Sequence, residues 1–234
     1  MTLNLKTLAG GLLIGLGLAT TAPAGTISFR DIANGTGFTD SSNASRSGGE
    51  ADWNTRVGSG VGVLDTSTGI SVVGTALLSS GDSALAYFDR GAGLGVCSVV
   101  TTSGQCNPSN DDNVGAIGGS GNAGDGTYET LVLSFSEAVE LSGIKFRAEG
   151  HGLFNGSVKI NGTDTSITNG AFNTLLTGSV FSLQYLPVAS NQGATNEFYI
   201  DSVQISPVPL PAAGLLLLGA LGGLGLVRRR KRAA

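Results

Sequence analysis

Histidine, cysteine and tryptophan are nearly absent from this 234-residue chain, which has one histidine, two cysteines and one tryptophan. Cys97 and Cys106 are separated by eight residues, which fits no zinc-ligand spacing, and His151 is far from both in sequence. A serine-type triad finds no support either: "AEGHGLF" around His151 offers no nucleophile elbow, and no G-x-S-x-G occurs. There is no repeat of fixed period. No stretch of the middle reads as a convincing amphipathic helix, and lysine and glutamate are sparse there.

Cations are scarce in the middle of the chain. Six of the 13 lie at the ends, at Lys6, Arg228, Arg229, Arg230, Lys231 and Arg232. All 17 acids fall between Asp31 and Asp201, so over residues 25–206, which hold the other seven cations, the net charge is −10. The whole-chain value of −4 hides this. Nucleic acid requires a basic footprint, so an acidic middle excludes it as a partner.

The middle is rich in Gly, Ser, Thr, Asn and Asp, a composition of strands joined by many turns. Period-two alternation marks strands at Thr26–Arg30, Ser83–Arg90, Leu94–Val100, Gly156–Gly162, Ser179–Leu186 and Asn196–Ser206. Glu129–Gly150 reads as two strands joined by a short connection at "SEAVE". The expected fold is all-β, an antiparallel β-sandwich of jelly-roll type over residues 25–206.

Both ends have a different character. Residues 1–24 carry Lys6, an apolar stretch from Leu8 to Ala19, and then Ala22-Pro23-Ala24. That order is a secretory signal peptide, with cleavage expected after Ala24 by signal peptidase. An exported chain meets oxidising conditions, so Cys97 and Cys106 are expected to form a disulfide. Residues 207–234 join a proline cluster to an apolar run, Ala212–Val227, and then to the basic tail Arg228–Arg232. Sixteen helical residues span about 24 Å, close to a hydrocarbon core of about 30 Å. The cations behind them hold the tail in the cytoplasm and the acidic domain outside. Pro207, Pro209 and Pro211 keep the preceding segment extended.

"VPLPAAGLLLLGALGGLGLVRRRKR" resembles the PEP-CTERM sorting signal of exported Gram-negative proteins, in its VPLPA variant. The three parts stand in order: Val208, Pro209, Leu210, Pro211 and Ala212, then the apolar helix, then the basic cluster. Leu210 replaces the eponymous glutamate. The resemblance implies processing by an exosortase, transient anchoring in the inner membrane with the domain in the periplasm, and delivery to the cell surface or matrix. It also implies an association with exopolysaccharide. "GLGVCS…QCNPSNDDNV", "ETLVLSFSEAVELSGIKFR" and "FYIDSVQI" resemble an arrangement that recurs ahead of this signal.

Within the domain, the most chemically loaded loop is "NPSNDDN". Asn110, Asp111 and Asp112, joined by Asp201 from the last strand, form a candidate calcium set, because hard cations want several oxygens. The alternative is an Asx-rich turn bonding its own backbone. Carboxylates for sugar chemistry would come from Glu129, Glu137, Glu140 and Glu149. Sugar binding would draw on exposed aromatics, with Trp53, Tyr87, Tyr128 and Tyr199 as candidates. The favoured reading is a non-enzymatic surface or matrix component, structural or adhesive. The alternatives are a carbohydrate-binding module, with or without calcium, and a divergent hydrolase.

Overall fold

The computed structural model describes residues 23–36, 39–40, 49–107, 111–116, 127–187 and 196–208. Of the expected leader only Pro23 and Ala24 are included, and of the sorting motif only Val208. Pro209, Leu210, Pro211, Ala212, the span at 212–227, the basic tail and Asn110 lie outside the described residues. Among the described residues no helix is long and apolar enough to cross a membrane.

The chain opens with β1 (Gly25–Ser28), which turns at once into α1 (Phe29–Asn34). The alternation of Thr26–Arg30 thus ends two residues earlier than the sequence predicts. Ser28 stops it: its Oγ accepts from the Asp31 amide at 3.2 Å as an N-cap, and Gly35 closes the helix at φ 77°. Then follow β2 (Thr39–Asp40), β3 (Ala51–Asp52), the one-turn α2 (Trp53–Arg56), β4 (Val63–Leu64) and β5 (Ser71–Leu78). After these come β6 (Ser83–Asp89), β7 (Gly93–Cys97), β8 (Glu129–Ala148), β9 (Gly156–Ile160), β10 (Thr163–Ile167), β11 (Ala171–Phe172), β12 (Leu176–Tyr185) and β13 (Phe198–Pro207). β10 escapes the sequence reading because its outward residues are polar. The Asn161-Gly162 turn, with both residues at positive φ, folds it back on β9.

All 13 strands belong to one hydrogen-bonded sheet. Five of them, β5, β6, β7, β13 and β8, close into a barrel, and the others flank it. The expected two facing sheets of a jelly roll are therefore replaced by a barrel with outer strands. The cause is β8, a single strand of 20 residues. Leu133 has Gly74 of β5 on one side and Phe181 of β12 on the other; Leu141 has Ile205 of β13 and Leu176 of β12. One edge of β8 thus carries first β5 and then β13, which joins the two halves of the ring.

The predicted break at "SEAVE" is a β-bulge inside β8. Opposite it the register of β12 shifts between Gly178 and Val180, and Ser136, Glu137 and Ala138 face solvent. A second shift, between Gln204 and Ile205 of β13, leaves Ser142 without an opposite residue. It moves the buried phase from Leu131, Leu133, Phe135 and Leu141 to Ile144 and Phe146.

The core fills the barrel and the space under β12. Trp53 is 3% exposed and stacks on Phe88 at 5.2 Å between centroids, with its Nε1 donating to the Val61 carbonyl at 3.0 Å. Gly74 lies beneath the indole, where a Cβ would approach ring carbons to 2.8 Å. Phe146, Phe154 and Phe198 form a second aromatic group with centroids 5.5–6.2 Å apart.

Candidate functional site

The disulfide between Cys97 and Cys106 is formed. It pins the end of β7 to the following loop and packs on buried Tyr87. The Tyr87 hydroxyl accepts from the Cys106 amide at 3.2 Å and donates to the Gly104 carbonyl at 3.3 Å, which gives it an internal role rather than exposure to a sugar.

Beyond the disulfide, residues 111–116 run back into the protein. Asp111, Asp112 and Asn113 are all buried. β7 admits this segment because it carries glycine at position 95: a Cβ there would meet the Asp112 carbonyl oxygen at 2.0 Å. Val114 then bridges to Phe198, and Ala116 to Tyr128.

The two adjacent aspartates turn to different partners. Asp111 Oδ2 accepts from the Ser98 amide at 3.1 Å and from its hydroxyl at 2.6 Å. That hydroxyl also lies 3.2 Å from Glu129 Oε1, while Glu129 Oε2 accepts from the Gly115 amide at 2.9 Å. Burial, with the Asp111 charge second, pushes the Glu129 carboxyl well above its usual range.

Asp112 faces β13, where its Oδ1 accepts from the Tyr199 hydroxyl at 2.5 Å. Asp89, at the end of β6, acts on the same phenol through its charge, which adds to that of Asp112 in raising Tyr199. Asp89 in turn pairs with His151 Nε2 at 2.8 Å. Burial pushes Asp112 up to about 6, and the Tyr199 bond only partly offsets it. Burial also raises Asp89 and His151 pulls it back; Tyr199 is raised by burial and by the Asp112 charge.

His151 occupies a strained turn, at φ 61°. Three bonds hold it there. Its amide donates to the Ala148 carbonyl at 2.8 Å, its carbonyl accepts from Arg147 Nη1 at 2.7 Å, and its ring is anchored by Asp89. The ring meets Tyr199 edge-on and overlies Gly91, where a Cβ would sit 3.1 Å from Nδ1. Arg147 Nε donates to Asp201 Oδ2 at 2.6 Å. Asp201 is itself the extra residue of a β13 bulge between Ile200 and Ser202.

Of the calcium set, the three described members, Asp111, Asp112 and Asp201, are not brought together as a group. Asp111 serves Ser98, Asp112 serves Tyr199 and Asp201 serves Arg147; Asn110 lies outside the described residues. Only one group of three among the described residues brings ligand-type atoms together, Cys97, Cys106 and Asp111, and its two sulfurs are bonded to each other. The glycosidase candidates are scattered: Glu129 is buried, Glu137 and Glu140 ride the β8 corner, and Glu149 is in the His151 turn. No side-chain hydroxyl or thiol among the described residues bonds His151. Of the four candidate aromatics, Trp53, Tyr87 and Tyr199 are buried and Tyr128 is partly exposed.

The network centred on Tyr199 was missed because its members come from four separate segments. One signal was available: Asp89 directly abuts an apolar strand run, in "ALAYFD". Chemically, the arrangement is two bonded pairs, Asp112 with Tyr199 and Asp89 with His151, brought together where the His151 and Tyr199 rings meet, and it ties β6, β13, residues 111–116 and the 149–153 turn together. Two clefts, of about 210 and 260 Å³, open elsewhere, and none of these acids lines them. Comparison with protein-family profiles, with curated proteins and with solved structures gave no match.

Proposed function

We propose that this chain is an exported, non-enzymatic surface or extracellular-matrix protein. Its barrel serves a structural or adhesive role linked to exopolysaccharide, and an exosortase-type enzyme processes its C-terminal signal. One observation carries the reading: the ordered succession of Val208–Ala212, the uncharged run to Val227 and five consecutive cations. No soluble packing rule accounts for that succession, whereas membrane insertion with a cytoplasmic stop does. Two further facts support it. The Cys97–Cys106 bond suits an oxidising compartment. The last strand ends at Pro207, so the motif would leave the barrel directly.

Intact-mass measurement of the protein recovered from the cell surface tests the proposal. The residues after the proline motif are expected to be missing, and a retained basic tail overturns it. The carbohydrate-binding alternative has less support, because the aromatic side chains it would use are mostly internal.

A further inference from the structure

The first strand, β1, begins in an unusual contact. Gly25 is buried, while Ala24 before it is exposed. Gly25 pairs with Ile205 of β13, and its open side faces the carboxylate of Asp65: a Cβ on Gly25 would lie 1.7 Å from Asp65 Oδ2. Covalent geometry separates a backbone nitrogen from its own Cβ by roughly 2.5 Å, so the Gly25 nitrogen lies within about 4.2 Å of that oxygen.

Asp65 is held in position before any partner arrives. Its Oδ1 accepts from the amide and hydroxyl of Ser67, at 3.3 and 3.0 Å. Its Oδ2 accepts from the Ser67 hydroxyl at 2.8 Å and from the amide and hydroxyl of Thr68 at 3.1 and 2.6 Å. No lysine or arginine among the described residues pairs with Asp65. The cleft of about 210 Å³ beside β1 is lined by Asp65 and, from α1, by Asp31, with no cation in its wall. From β13, Gln204 and Ile205 oppose the start of β1, and both are uncharged.

We propose that Asp65 is the receptor for the α-ammonium group that export creates on Gly25. The inference rests on the reading that the leader is removed after Ala24. Hydrolysis of the Ala24–Gly25 peptide bond consumes one water and leaves a carboxylate on Ala24 of the leader. The amine left on Gly25 takes up a proton. The amide nitrogen, neutral in the precursor, thereby becomes a cation beside a prepositioned anion, and the freed terminus can rotate to close the remaining distance. Removal of the leader thus adds an ion pair that locks β1 onto the β4–β5 turn.

The pairing raises the pKa of the α-amine above its ordinary value of about 7.7–8.0. A cation with a raised folded pKa contributes its full stability below the unfolded value and loses it as pH rises through the folded one. The test uses the full chain expressed with export, matured by the host signal peptidase and purified. N-terminal sequencing identifies the first residue. Amine labelling from pH 6 to 10, read on the N-terminal peptide by mass spectrometry, then gives the titration midpoint, native and in urea. The native midpoint is expected to lie about one pH unit above the unfolded one, as an opposite charge at this range dictates. Asp65→Asn is expected to remove the difference, and Asp31→Asn to leave most of it. A mature chain starting at Gly25 with the same midpoint native and unfolded overturns the pairing alone. A different first residue overturns it together with the cleavage position.

Discussion

Asp112→Asn is the sharpest probe of the buried network. The side chain is 8% exposed, and its carboxyl is raised from 3.8 to about 6, mainly by loss of solvent. Between those two values the folded protein holds a proton that the unfolded chain has released. Unfolding therefore becomes easier as pH rises through this window. A window about two pH units wide corresponds to roughly 3 kcal/mol of stability lost by pH 7. Asparagine keeps a carbonyl oxygen to accept from the Tyr199 hydroxyl and never ionises. Its amide adds an offset of about 1 kcal/mol, independent of pH, for the exchanged hydrogen bonds. The stability of Asp112→Asn relative to wild type should thus climb by about 3 kcal/mol from pH 4 to pH 8. Urea unfolding at five pH values measures it, with the lone tryptophan, buried on Phe88, as the fluorescent reporter. A difference that stays flat across this range, or that falls with pH, would show that Asp112 is not buried as a costly anion and would refute the reasoning.

Other substitutions test the parts around it. Gly95→Ala should cost about 3 kcal/mol or more in urea unfolding, because the new methyl meets backbone rather than a movable side chain. Gly69→Ala has open space but a φ of +76°, so it should cost only about 1–2 kcal/mol. His151→Ala removes the partner of buried Asp89 and should lose about 2 kcal/mol at pH 7. His151→Gly should lose less, because it also releases the positive φ. Replacing Cys97 and Cys106 together by serine should lower stability by about 2–3 kcal/mol, a difference that reductant should abolish.

Strand content was legible because the alternation is local. Leu131, Leu133 and Phe135, or Phe181, Leu183 and Tyr185, announce their buried face without reference to any partner. Closure was not legible. It depends on one strand staying continuous through Ser136–Ala138, where the polar residues "SE" look the same in a bulge as in a loop. The phase change at Ser142 was visible as Leu141 followed by Ile144, but its cause lies 62 residues away, opposite Gln204. The candidate site was legible only at the disulfide. A run of Asn and Asp near a cysteine suggests a cation loop by composition, whereas the directions of its side chains are set by the fold: Asp111 and Asp112 are neighbours in sequence and turn to different partners. His151 with Asp89, and Tyr199 with Asp112, are pairings set by the tertiary fold.

The position of β13 bears on what happens when the molecule is pulled. It is paired with β8 along its length, from Phe198 to Pro207, and with β1 from Ile205 to Ser202 at its exit. A load applied at Val208 along the strand axis must slide β13 against both neighbours at once. Many ladder bonds then share the force in shear, whereas a terminal strand peeled from a sheet edge would break them one by one. A domain tethered through this end would resist traction far better than its thermodynamic stability alone suggests, because mechanical lifetime follows the unfolding barrier rather than the equilibrium.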